Sequence, residues 1–76
     1  MMAKPVKTFC VVCENYRQAQ EMHKRFMSRH RGIICFSRDL YSKVNGGAEF
    51  YFVPRSGFAM WKMGRQFKRI DAWEAL

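Results

Sequence analysis

The sequence predicts a small single domain of the α/β or α+β class, ordered β-α-β-β-α, with helices packed on one face of a mixed sheet. Three observations lead there. Residues 6–13 are apolar or β-branched almost throughout, the pattern of a strand covered on both faces. Residues 16–30 carry apolar side chains at helical spacing. Asn45-Gly46-Gly47 stands between two runs of strand formers, a hairpin signature. With 76 residues, 49% of them hydrophobic and 16% aromatic, the chain has material for one core and excludes a disordered chain.

The first strand ends at Glu14-Asn15, and Asn15 can cap the helix that follows. At 100° per residue, Tyr16, Ala19, Met22, His23, Phe26, Met27 and His30 share one helix face. Arg17, Glu21, Lys24, Arg25, Ser28, Arg29 and Arg31 take the other, and Gly32 stands where a helix C′ glycine belongs. Ile33-Ile34-Cys35-Phe36 reads as a second short buried strand, parallel to the first through a right-handed crossover. Residues 37–42 have mixed polarity and read as a loop running into Tyr41-Ser42-Lys43-Val44, the first arm of the hairpin. In its second arm Phe50 and Phe52 alternate with Glu49, Tyr51 and Val53, and Pro54 stops the strand.

Ser56 can cap a second helix starting at Gly57 or Phe58, with Met60, Met63 and Phe67 on its buried face. Gly64 costs about 1 kcal/mol inside a helix, so the helix is expected to end there. Residues 67–70 then read as a short extended segment and 71–76 as a terminal helical turn.

Fourteen Lys and Arg against six Asp and Glu give a net charge of +8. So large an excess on so small a domain favours nucleic acid or an acidic protein surface as the partner, beside the plainer use of charge for solubility. No apolar run approaches the roughly 18 residues that span a bilayer, and the short run after Lys4 and Lys7 is not the h-region of a secretory leader. The expectation is a soluble cytoplasmic protein, in a host cytoplasm if viral, with no membrane partner.

Cys10, Cys13 and Cys35 are an odd number and suggest no disulfide framework. Cys10 and Cys13 have CxxC spacing, but on a strand positions i and i+3 face opposite ways, so one metal cannot take both thiolates. His23 and His30 lie seven apart, outside the usual zinc spacing. Buried small hydrophobes for the cysteines, and core aromatics bonded to backbone for the histidines, are the expected roles. Ser56 lacks the second glycine of a nucleophile elbow, and the carboxylates are scattered. No catalytic residue, metal or cofactor is therefore predicted.

The residues singled out for binding are Trp61, Lys62, Arg65, Lys68, Arg69 and Arg55. In a helix from Phe58, Trp61 points about 150° from the Met60-Met63-Phe67 stripe, towards Lys62, Arg65 and Lys68. An indole among cations can stack on an unpaired base or fill a partner's pocket. It can equally pack beneath the helix in a broader core. The charged face of the first helix, with Arg17, Lys24, Arg25, Arg29 and Arg31, reads as solvated.

Asn45-Gly46-Gly47, Phe50-Tyr51-Phe52-Val53-Pro54, Gly64-Arg65-Gln66-Phe67 and Ile70-Asp71 follow one another in the order of a known motor domain. On these motifs residues 34–71 resemble the Walker-B half of the ATPase domain of phage large terminases and related RecA-like motors. The resemblance implies a phage origin and makes Asp71 the metal-binding aspartate. The chain departs from the family in having no G-x-x-x-x-G-K-[ST] loop to cradle phosphates, and in having Ala72 where a glutamate would orient water. Lys68 and Arg69 also interrupt a strand that the family buries. The expected function is that of a non-enzymatic phage-type accessory protein binding nucleic acid. The alternative is a modulator or inhibitor of a host nucleic-acid-processing enzyme.

Overall fold

A computed structural model of the chain describes residues 7–71. Seven elements follow in order: β1 (Thr8–Cys13), α1 (Tyr16–Arg29), β2 (Ile34–Arg38), β3 (Tyr41–Val44), β4 (Glu49–Pro54), α2 (Arg55–Trp61) and β5 (Lys68–Asp71). The five strands form one mixed sheet in the order β2-β3-β4-β1-β5. β1 pairs in parallel with β4 and β5, while β2, β3 and β4 form an antiparallel meander. The molecule is a small α+β domain built on a mixed sheet, as the sequence predicts, with the extended segment before Asp71 completing the sheet as β5. The expected terminal helical turn falls on residues 72–76 and lies outside the described residues.

β1 is an interior strand, between β4 and β5, because it is apolar on both sides. Val11 and Cys13 join Ala19, Met22 and Phe52 in one buried cluster, and Cys10 and Val12 join Val53 in another on the opposite face. Each such buried aliphatic side chain stabilises the fold by about 1.5–3 kcal/mol. α1 covers the first face: Phe26 sets its ring 4.7 Å from that of Phe50 and 5.7 Å from that of Phe52. Phe58 and Trp61 of α2, with Phe67 beyond it, cover the second. The helices therefore lie on opposite faces of the sheet, which corrects the expectation of a single face. The reason is topological. α1 leads from β1 towards the β2 edge and α2 leads from β4 towards the β5 edge, so crossovers of the same right hand pass on opposite sides.

Local signals mostly act as their chemistry dictates. Asn15 caps α1 by accepting from the Gln18 backbone N–H at 2.8 Å, and the Gln18 side chain reaches back to accept from the Glu14 N–H at 2.6 Å. Gly46 and Gly47 adopt φ of 94° and 93° in the β3–β4 turn, where L side chains are strained. α2, by contrast, has Pro54 as its N-cap and takes no side-chain cap, so Ser56 lies exposed within its first turn.

Two strands behave differently from their sequence reading. β2 is an exposed edge strand and not a buried one, with Phe36 53% exposed and Cys35 also open. The pairing shifts register between Ile34 and Phe36, an irregularity of the sort that blunts an edge. Residues 37–42 are not a loop but the closure of a tight β2–β3 hairpin around Asp39 and Leu40. Leu40 adopts φ 56°, and the conformation is held by its packing on the α1-face core and by its carbonyl, which accepts from the Phe52 N–H at 2.9 Å. At the other margin, β5 carries Lys68 and Arg69 without penalty because it is an edge.

Candidate nucleic-acid interface

The strand register builds a cross-sheet row on the α2 face. Arg38 of β2 lies opposite Tyr41, Tyr41 opposite Tyr51, Tyr51 opposite Cys10, and Cys10 opposite Arg69 of β5. Partners directly opposite share a face, so the row carries two arginines at its ends and two tyrosines between them. α2 packs mainly over β4 and β1 on this face, beside β3 and β2. Between them lies a groove of about 390 Å³ whose walls include Arg38, Tyr41, Tyr51, Gly57 and Trp61.

Aromatic rings run continuously across the face. Tyr41 and Tyr51 are 4.8 Å apart, Tyr51 and Trp61 5.2 Å, and Trp61 and Phe67 4.9 Å. Cations sit on these rings. The Arg65 guanidinium lies 4.7 Å from the Trp61 ring centroid and 5.6 Å from that of Tyr51. Arg38 lies 5.0 Å from Tyr41, Arg69 5.2 Å from Phe58, and the Lys62 ammonium 5.7 Å from Phe58. Each contact of this sort stabilises by about 0.5–1 kcal/mol when exposed, and together they fix the guanidinium groups in place before any ligand arrives.

Of the residues singled out from the sequence, Trp61, Lys62, Arg65 and Arg69 come together here. Trp61 faces the core and not solvent: it packs with Phe58 on the Cys10-Val12-Val53 cluster, under Arg65. Met60 and Met63, expected to be buried, are 81% and 74% exposed instead. The large rings at positions 58 and 61 remove more apolar area from water than the methionines would, so the helix turns them inward. Lys68 lies apart. It pairs with Phe9, whose ring stacks on Phe50 of the α1-face cluster, so Lys68 belongs to the other face of the sheet. Arg55 also lies apart, at the start of α2, where it pairs with Glu14 at 3.4 Å. Asp71 ends β5 and accepts from Arg69 at 3.3 Å.

Arg38, Tyr41 and Tyr51 are the members the sequence reading missed. The mixed face of β4 held a hint of Tyr51, but Arg38 and Tyr41 join only through a hairpin closed by Leu40, a residue that gives no turn signal. The same hairpin brings Ser37 and Ser42 to His23. The His23 Nε2 lies 2.8 Å from Ser42 Oγ and 3.3 Å from Ser37 Oγ, and the two hydroxyls are 3.0 Å apart. His23 is 5% and Ser42 0% exposed, so this is a buried polar link between α1 and the hairpin. Burial lowers the His23 pKa, opposed by a backbone bond with Tyr41 and the Asp39 charge. His30 is exposed and rests against Phe26, their ring centroids 4.8 Å apart.

The two cysteines of the CxxC spacing face opposite clusters, as strand geometry requires. Burial pushes the Cys10 thiol up to about 12 and the Cys13 thiol up to about 11, which leaves both as protonated, inert packing groups near neutral pH. Among the described residues no three His, Cys, Asp or Glu side chains gather as a metal site would need. Nor is any helix among them long and apolar enough to cross a membrane. Comparison with protein-family models, curated proteins and solved structures finds no match for the chain.

Proposed function

We propose that the protein binds single-stranded nucleic acid across its α2 face, as a non-enzymatic accessory protein of the kind phages encode. The observation that carries this reading is the Arg38-Tyr41-Tyr51 row with Arg65 stacked on Trp61 at 4.7 Å. Aromatic and guanidinium planes side by side accept unpaired bases by stacking, and the adjoining cations neutralise phosphates. Lys62, Arg65 and Arg69, joined by Arg38, are the phosphate contacts. Trp61 serves as the support that holds Arg65 flat, and Tyr41 and Tyr51 line the groove.

Fluorescence anisotropy with short single- and double-stranded oligonucleotides, titrated over a range of salt, tests this. Single strands are expected to bind more tightly than duplex. Replacing Arg38, Lys62, Arg65 or Arg69 by alanine should each reduce the salt slope by about 1. Lys68→Ala, on the other face, should leave it unchanged. If micromolar protein leaves both probes unbound at low salt, the reading is wrong.

The second reading is a modulator that docks on an acidic surface of a host enzyme. It is favoured by Met60 and Met63, exposed beside the cationic rim, because methionine adapts readily to a partner's surface. A Met60→Ser, Met63→Ser double variant that keeps full affinity for oligonucleotide separates the two surfaces.

A further inference from the structure

The α1 face holds a feature that nucleic-acid binding does not use. Between α1 and the sheet lies a cavity of about 260 Å³. Its inner walls are apolar: Val11, Met22, Phe26, Phe50, Phe52 and Ile70. It opens to solvent at its rim, so a ligand can enter it. At about 30 Å³ for each water-sized group, it has room for roughly nine.

The rim has the opposite character. Arg25, Arg29 and His30 line the cavity from the exposed last turns of α1, and among the described residues no carboxylate lines it. Met22, Arg25, Phe26 and Arg29 follow at the spacing that keeps one helix stripe facing one way. The arginines that read as a solvated face in the sequence thus stand over an apolar hole. Arg25 makes no ion pair among the described residues.

We infer that this cavity is a binding site for a small amphipathic anion, a medium-chain monocarboxylate whose tail fills the apolar interior and whose carboxylate meets Arg25 at the rim. The apolar volume sets the length of the tail, and the cationic rim sets the sign of the head. A phospholipid acyl chain is too long for a space of about nine groups. The site lies across the sheet from the Arg38-Tyr41-Tyr51 row, so it stands independently of the nucleic-acid reading.

The test uses the full chain, isotope-labelled, with octanoate, octylammonium and 1-octanol as probes, followed by amide correlation spectra. Octanoate is expected to give saturable shifts, centred on Val11, Phe26, Phe50 and Phe52, in the millimolar range that so few atoms allow. It should bind about fivefold more tightly than octylammonium, the effect of one partly exposed ion pair. Arg25→Glu should abolish that preference while octanol binding persists. Ala48→Met, which adds volume at the cavity wall, should weaken all three probes, and Lys62→Ala on the opposite face should change none. Equal affinity for octanoate and octylammonium in the unmodified protein would overturn the anion assignment. An absence of saturable shifts with every probe would overturn the site itself. Should Ala48→Met fail to fold, the comparison of the three probes and Arg25→Glu still decides the question.

Discussion

Replacing Trp61 by alanine tests the central placement, that the indole is part of the second core and not a free stacking platform. The indole packs on Tyr51 at 5.2 Å and Phe67 at 4.9 Å and is capped by Arg65 at 4.7 Å. Truncating a fully buried aromatic costs about 3–5 kcal/mol. Trp61 lies at the margin of its cluster and is only partly buried, so the cost should fall below that range, to about 2–3 kcal/mol. A domain of this length has roughly 4–11 kcal/mol of stability in all. With a urea slope of about 1 kcal/mol/M for a small protein, the midpoint should fall by about 2–3 M, read by far-ultraviolet circular dichroism. Pairing the change with Arg65→Ala in a double-mutant cycle should return a coupling of about 0.5–1 kcal/mol for the stacked guanidinium. A midpoint that moves by less than about 0.5 M would place the indole in solvent and refute the packing argument.

Four further outcomes are expected. Burial lowers the His23 pKa in the fold, so the unfolded chain binds more protons as pH falls below the ordinary histidine value of about 6.5. Stability should be complete above that pH and decline below it, and His23→Gln should flatten the decline in urea midpoints measured between about pH 5 and 7.5. Gly57 lies within α2 with nothing within 4 Å of an added Cβ, so Gly57→Ala should raise stability by about 0.5–1 kcal/mol in the same assay. Gly46→Ala should lower it by about 1 kcal/mol because of its φ of 94°. Alkylation of the native protein at mildly alkaline pH should label Cys35 alone, with Cys10 and Cys13 reacting only on unfolding; simultaneous labelling of all three would show that β1 is not buried as described.

Much of the fold is legible because its signals are local. The unbroken apolar run of β1, the Asn15 cap, the glycine turn after β3 and the alternation in β4 each depend on a few neighbouring residues. The β2–β3 hairpin is not legible, since Leu40 in a left-handed conformation is paid for by packing on the core and by a bond to Phe52. For the candidate site, Trp61, Lys62, Arg65 and Arg69 could be picked out as an aromatic residue among cations. Lys68 and Arg69 are neighbours on a strand, so they necessarily part to opposite faces once that strand is in a sheet.

The sequence alone determines that β1 lies inside the sheet, that Asn15 caps α1, and that Cys10 and Cys13 cannot meet. These follow from periodicity and from side-chain chemistry over a turn or two. Tertiary structure decides what lies beside what. Strand order sets β2 and β5 at the edges, sends the two helices to opposite faces, turns Trp61 inward and Met60 outward, and aligns Arg38, Tyr41 and Tyr51 in one row. None of that is encoded in any window of neighbouring residues, because it depends on which distant segments bury the most apolar surface together.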